Sequence, residues 1–260
     1  NWFVTNVKST SKPKQLTKNI QNNRQITFNK DLTKGVYLSG RNEIYTMDLK
    51  TYKTQLIVKD ELWGFYNANP YFSPDDAYVL FNAYRDFEAD VFAYNLSTKR
   101  KINLTNTKVS EFGPVWSTDG KYIYFSSERI SPNFPSGGNG NSKVYQMALD
   151  KYEKPFKLDK VNALFAEKKK ESKDKKDKKE PKKKAVKVSI NTQDLMSRLT
   201  RISPRFGNQG NITVVNDGAK THVIYTSNHD QGRNKLWKTT IEPFENNKTA
   251  KLSDKPTFGY

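Results

Sequence analysis

The feature that most constrains this chain is a tandem repeat. The segment Asn69 to Phe81 (NPYFSPDDAYVLF) aligns with Gly113 to Phe125 (GPVWSTDGKYIYF) at an offset of 44 residues throughout. In each copy a short extended stretch runs into a Ser-x-Asp-Asp or Ser-x-Asp-Gly turn and then into an aromatic and β-branched strand. Asp and Gly supply the tight reversal, and the alternating apolar residues supply a buried face. Two further copies are weaker in the turn but keep the strand. They run from Lys34 to Ser39 and from Lys220 to Ser227, the latter after Asn216, Asp217 and Gly218.

A second element follows each copy: an aliphatic or aromatic residue, an aromatic, three residues, then an aliphatic. It appears as Ile44-Tyr45 with Leu49, Val91-Phe92 with Leu96, Val144-Tyr145 with Leu149, and Leu236-Trp237 with Ile241. A polar turn and a short strand ending in leucine come next, at Leu56, Leu104, Leu158 and Leu252. One unit is therefore four short antiparallel strands in roughly 42 to 50 residues, the footprint of a β-propeller blade. The expected fold class is all-β: a partial β-propeller of four-stranded antiparallel blades.

The same pattern opens the chain, where Trp2-Phe3 with Val7, then Gln15-Leu16, match the third and fourth strands of a blade. Residues 255–260 resemble the lead-in to another. The chain thus reads as a portion of a longer repeat protein, holding four blades and half of a fifth. The expected divisions are 1–17 for the half blade; 18–58, 59–105 and 106–160 for three blades; 161–188 for an insertion; 189–254 for a blade with a junction segment, possible start of a second propeller; and 255–260 for the lead-in.

The intervals between the third-strand dipeptides are 42, 47, 53 and then 92 residues. Part of the long interval is a lysine run. Between Glu167 and Lys187 lie twelve lysines and five acids, with one valine, one alanine and no aromatic. Such a stretch buries too little apolar area to offset its ordering entropy, so it is expected to be a disordered insertion. It also holds much of the formal charge of +18. Acids interrupt its lysines and no aromatic is there to stack on bases, so nucleic acid is not expected as a partner. The remainder, Val188 to Ile202, reads as a strand, a short helical turn around Asp194 to Arg198, and another strand, placed as outer strands or as a junction.

The chain has no cysteine and two histidines, which excludes disulfides and leaves little room for a metal site. No apolar run approaches the length of a membrane span. There is no G-x-S-x-G elbow, H-E-x-x-H or Walker loop, so no catalytic residue, cofactor or metal is assigned. His222 is expected to face solvent or a strand neighbour, and His229, although followed by Asp230, has no nucleophile fixed beside it by the sequence. Asp75, Asp76 and Asp119 read as turn residues that cap backbone amides. One constellation remains. Four residues beyond the last aromatic of each second strand stand Arg41, Arg85, Arg129 and His229. In a propeller these loops gather on one rim, where guanidinium groups would favour carboxylates such as peptide C-termini. The alternative is that each Arg pairs with an acid of its own blade, such as Asp86, Glu88 or Glu128.

The YIYFSSER strand, the VYQMALD strand, the Lys-rich insertion and then VSINTQDLMSRLTRIS together resemble the N-terminal propeller region of bacterial tricorn-like serine proteases. Ile190, Leu195, Arg198 and Arg201 stand where that family has comparable residues, and Asn191 stands where it usually has Asp. Individual blade motifs are shared with TolB and prolyl-oligopeptidase propellers. The resemblance implies a large peptidase of the bacterial periplasm or envelope, with propellers ahead of PDZ and protease domains in the same polypeptide. This chain would be the noncatalytic portion, gating or docking peptide or protein substrates, with a homo-oligomer possible. The other reading is a TolB-like periplasmic propeller that scaffolds protein-protein interactions.

Overall fold

The computed structural model describes residues 1–8, 12–63, 70–131, 141–152 and 185–255. Among these the chain is built from strands, and the one described helix is a 3-10 turn at Leu195–Arg198. Strands β1 (Phe3–Val4) and β2 (Lys14–Gln15) form a two-stranded sheet. Four sheets of four strands follow. The first contains β3 (Asn23–Phe28), β4 (Lys34–Ser39), β5 (Glu43–Asp48) and β6 (Thr54–Lys59). The second contains β7 (Tyr71–Phe72), β8 (Tyr78–Arg85), β9 (Glu88–Asn95) and β10 (Lys101–Asn103). The third contains β11 (Glu111–Trp116), β12 (Tyr122–Ser127), β13 (Lys143–Ala148) and β14 (Leu199–Arg201). The fourth contains β15 (Gln209–Asp217), β16 (Lys220–Ser227), β17 (Lys235–Ile241) and β18 (Lys248–Lys251). In each the strands pair antiparallel in chain order.

The turns between first and second strands show why the repeat motif folds as it does. Asp75 Oδ1 accepts from Ser73 Oγ at 2.6 Å and from Ala77 N at 3.1 Å. Asp119 Oδ1 accepts from Ser117 Oγ at 2.6 Å and from Lys121 N at 3.1 Å. Each serine oxygen then takes the amide that opens the next strand, Tyr78 or Tyr122, at 2.9 Å. These carboxylates close turns, as short polar side chains commonly do. In the first sheet Asn29 serves instead, accepting at Oδ1 from the amides of Thr33 and Lys34, both at 2.9 Å.

The core lies between the sheets. Val36, Leu38 and Ile44 meet Val79, Phe81 and Phe92; Leu80 and Val91 meet Ile123, Phe125 and Tyr145; Tyr124 and Val144 meet Val223 and Tyr225. Each such buried side chain contributes about 1.5–3 kcal/mol. The half sheet continues the stack through Trp2, whose ring meets Tyr37 edge-on at 5.8 Å.

The third sheet takes its outer strand from beyond the long insertion. Its outer edge beside β13 is taken by β14, with Tyr145 opposite Arg201 and Met147 opposite Leu199. The strand expected at Leu158 lies outside the described residues. The residues from Val188 to Ile202 supply the 3-10 turn and this fourth strand, and Val188 itself is not in a strand. The neck of the long insertion is closed on both sides. Asn191 N donates to Leu149 O at 2.9 Å, and Asp150 accepts from Ser189 Oγ at 3.1 Å and Asn191 Nδ2 at 3.3 Å.

Candidate functional site

One rim of the molecule carries the loops between second and third strands together with the connections that enter each new sheet. The first residues of β3, β11 and β15 mark this end, and all three are buried polar residues: Asn23, Glu111 and Gln209. Each lies opposite a fully buried serine of the second strand, Ser39, Ser127 and Ser227 respectively. Two residues further on, Gln25, Gly113 and Asn211 hold positive φ angles of 54°, 57° and 53°. A β-bulge falls there in all three strands, which bends the inner strand and re-aims its side chains.

Each buried polar residue ties the incoming connection to its sheet. Asn23 Nδ2 donates to Thr17 Oγ1 at 3.0 Å. Gln209 Nε2 donates to the carbonyls of Pro204 and Phe206, both at 3.0 Å. Glu111 accepts from Thr107 Oγ1 at 3.0 and 3.1 Å. Asn82 bridges the second and third sheets, donating to Glu111 O at 2.7 Å and accepting from Gly113 N at 3.1 Å. Seam and rim are thus tied together by buried and half-buried hydrogen bonds.

The four residues counted from the sequence have different surroundings on this rim. Arg129 is buried, with Nη2 at 3.1 Å from Glu111 Oε1. Burial pushes the Glu111 carboxyl up to about 7, against the opposing pull of Arg129. Arg85 holds Asp60 through two contacts of 2.9 Å, one to each carboxylate oxygen. Its guanidinium lies 4.8 Å from the centre of the Phe92 ring. Lys101 pairs with the same Asp60. Burial acts to raise the Asp60 carboxyl, but the bonds from Arg85, Lys101 and the Glu61 amide outweigh it and hold the group below its ordinary value.

His229 packs on Trp237 with ring centres 4.1 Å apart, and its Nδ1 lies 2.7 Å from Ser227 Oγ. Burial lowers its pKa, with Asp230 opposing. A hydroxyl is therefore placed against this imidazole, which the sequence alone did not indicate. Ser227 is fully buried and also accepts from the His229 amide at 3.3 Å, and Asp230 faces Lys235 and Lys251 at 3.7 and 3.8 Å. The pair closes a local turn two residues long, with Ser227 buried and His229 half-buried. His222 bonds Thr240 across the sheet at 3.0 Å.

Arg85 holds Asp60, and Asp60 lines one cleft with Arg41. Arg41 lines a cleft of about 560 Å³ with Gln21, Asn42, Lys59, Asp60, Glu61, Leu62 and Trp63, a size suited to a few side chains of a ligand. Trp63 stacks flat on Tyr84, with centres 4.4 Å apart and planes 9° apart, and Phe87 stands edge-on to it at 5.9 Å. Asp60, Trp63 and Phe87 were not singled out by the repeat because they fall in connections and turns, where its periodicity is silent. An exposed aromatic beside an Asp at a two-residue hairpin tip was the one available signal for Phe87.

The architecture defines the class: a partial β-propeller with a polar rim. No family model matches the chain. No curated protein matches it. Solved structures do. TolB from Acinetobacter baumannii is 17% identical with a TM-score of 0.56, over 95% of this chain and 46% of that one. The tricorn protease is 14% identical with a TM-score of 0.57, over 93% and 23% respectively. A putative TolB from Agrobacterium tumefaciens is 14% identical with a TM-score of 0.57, over 96% and 73%. The chain spans less than half the length of the first two structures it matches. At these identities the likeness establishes the propeller fold. Among the described residues no helix is long and apolar enough to cross a membrane.

Proposed function

We propose that this chain is a noncatalytic docking propeller of the bacterial envelope, which receives peptide segments on its rim for a peptidase core carried elsewhere in the polypeptide. The observation that carries this reading is the rim cleft formed by the loops of the first sheet and the connection that leaves it, where cationic side chains, amides and an aromatic wall converge. A propeller suits the role because its blades present loops to one face while the sheets behind them stay fixed. The buried ties of Asn23, Glu111 and Gln209 support this, since they hold each connection to its sheet.

The test is turnover of peptides by the intact polypeptide carrying Lys59→Gln with Trp63→Ala. Loss of turnover of peptides, with an ester reporter of the peptidase core still cleaved normally, is the expected result. Unchanged peptide turnover removes the docking role. A polypeptide without a peptidase core, which captures a protein partner on the same rim, would favour the TolB-like scaffold instead.

A further inference from the structure

The outer edges of the four sheets are not alike. Strands β10, β14 and β18 have three, three and four residues, and each includes a basic side chain. Short, charged edges of this kind discourage pairing with another chain. Strand β6 is six residues long and reads Thr-Gln-Leu-Ile-Val-Lys, with five uncharged residues before Lys59. Its one ladder is with β5, and Leu56 is 43% exposed. The Lys53 carbonyl accepts from Asp48 N at 3.0 Å, and Gln55 stands opposite Thr46. In an antiparallel ladder every second residue turns its N–H and C=O away from the partner, so Thr54 and Leu56 present theirs outward. Among the described residues no strand pairs with that side. Such a row of backbone donors and acceptors is a template for an extended chain.

What stands beside this edge specifies the chain. Gln55 and Ile57 of β6 form one wall of a cleft of about 200 Å³, and Tyr94 and Leu96 line it from the side of the second sheet. The space is that of a single side chain. A strand laid against β6, about 4.8 Å away, points successive side chains to opposite faces and so sends every second one to the cleft side. Lys34 and Lys99 line the cleft and no acid does. Lys34 faces Asp76 at 3.9 Å, so those two charges balance. Lys99 makes no ion pair among the described residues, which leaves the cleft one positive charge.

We propose that the free edge of β6 takes an extended acidic peptide as a fifth strand of the first sheet, with a glutamate side chain laid into the cleft towards Lys99. The glutamate stem meets Ile57 and Leu96, and its carboxylate meets the ammonium. A second copy of this chain is a poorer occupant. From Lys53 to Lys59 the strand has no acid to offer, and edge-to-edge pairing would gather both lysines of each copy into one ribbon. The inference concerns the outer strand and does not rest on the rim cleft.

The experiment is fluorescence anisotropy of the full chain with a labelled, end-capped Thr-Val-Glu-Val-Thr peptide. The same peptide with glutamine for glutamate should bind about fivefold more weakly, and Lys99→Gln should remove that difference. Absence of binding, equal affinity for the two peptides, or a difference that persists in Lys99→Gln would overturn the proposal. Backbone N-methylation separates strand pairing from capture of a side chain. Methyl groups on alternate amides should abolish binding in one register and spare it in the other, because an edge uses every second N–H. Equal effects in both registers would overturn it. Amide exchange then locates the peptide: Thr54 and Leu56 should exchange slowly only when it is bound. Protection confined to the rim would sink this proposal and leave the docking reading standing. Protection of Thr54 and Leu56 without peptide, rising with protein concentration, would give the edge to a second copy and overturn the proposal.

Discussion

Arg129 and Glu111 form an ion pair closed off from water, with 3.1 Å between Nη2 and Oε1 and side chains 3% and 0% exposed. Taking two charges out of water is costly, and here burial outweighs the pairing enough to push the Glu111 carboxyl from 4.5 to about 7. Between those values the folded chain holds a proton that the unfolded chain has released, so this group's contribution to stability is full below about 4.5 and is lost as pH rises towards 7. Wild type should therefore lose stability relative to Glu111→Gln across that window, by a total on the order of 3 kcal/mol. Urea denaturation of both proteins at stepped pH measures it. A constant difference would mean that the carboxyl titrates as it does in water.

Removing the partner alone should be worse than removing the acid. Arg129→Met removes the cation that opposes burial at Glu111, so at pH 8 the carboxyl must stay buried without its partner or take up a proton, at a cost of about 3–5 kcal/mol. At pH 5, where Glu111 is protonated, the same variant should lose clearly less. Chemical denaturation at the two pH values decides it, and equal losses at both would show that packing of the arginine stem is what matters.

Gly120 and Gly218 both hold positive φ, 69° and 58°, but their surroundings differ. A Cβ at Gly120 would lie 2.7 Å from Val188 Cγ2 and 3.1 Å from Val186 Cγ1, whereas one at Gly218 would meet nothing within 4 Å. Gly218→Ala should cost about 1 kcal/mol, for backbone strain alone. Gly120→Ala should cost about 2 kcal/mol or more, because the returning chain must also shift. Equal costs in thermal denaturation would show that residues 186–188 do not pack on this turn.

Hydrogen bonds among Leu149, Asp150, Ser189 and Asn191 close the third sheet on both sides of residues 153–184. A Gly/Ser linker about a quarter as long should leave the third sheet intact and change stability by about 1 kcal/mol, the loop-closure difference. Differential scanning calorimetry checks this. A loss of several kcal/mol would mean that the replaced segment supplies part of the core.

The repeat was legible because its physics is local. Alternating apolar residues and a Ser-x-Asp turn fix the second strands of the second and third sheets with their hairpins, and Asp75 and Asp119 close those turns with the same bonds. The fourth strand of the third sheet was legible in part: the sequence offered an outer strand or a junction after the helical turn at Asp194 to Arg198, but not which sheet it joins. Lys157-Leu158 looks like Asn103-Leu104 and Lys251-Leu252, and only tertiary pairing places Leu199–Arg201 against β13. Counting from the aromatics found the positions of Arg41, Arg85, Arg129 and His229 but not their directions. Arg85 turns to Asp60, in the connection that leaves the preceding sheet, and Arg129 turns to a first-strand acid of its own sheet. The bulges that set this register carry glycine only at Gly113; Gln25 and Asn211 give no comparable sign.

The most direct measurement is an amide hydrogen-exchange footprint of the full chain with a peptide bound. Docking on the rim should slow exchange at Arg41–Asn42, Lys59–Trp63 and Tyr84–Glu88. Protection confined to the opposite turns, at Asp75–Ala77 and Asp119–Lys121, would contradict it.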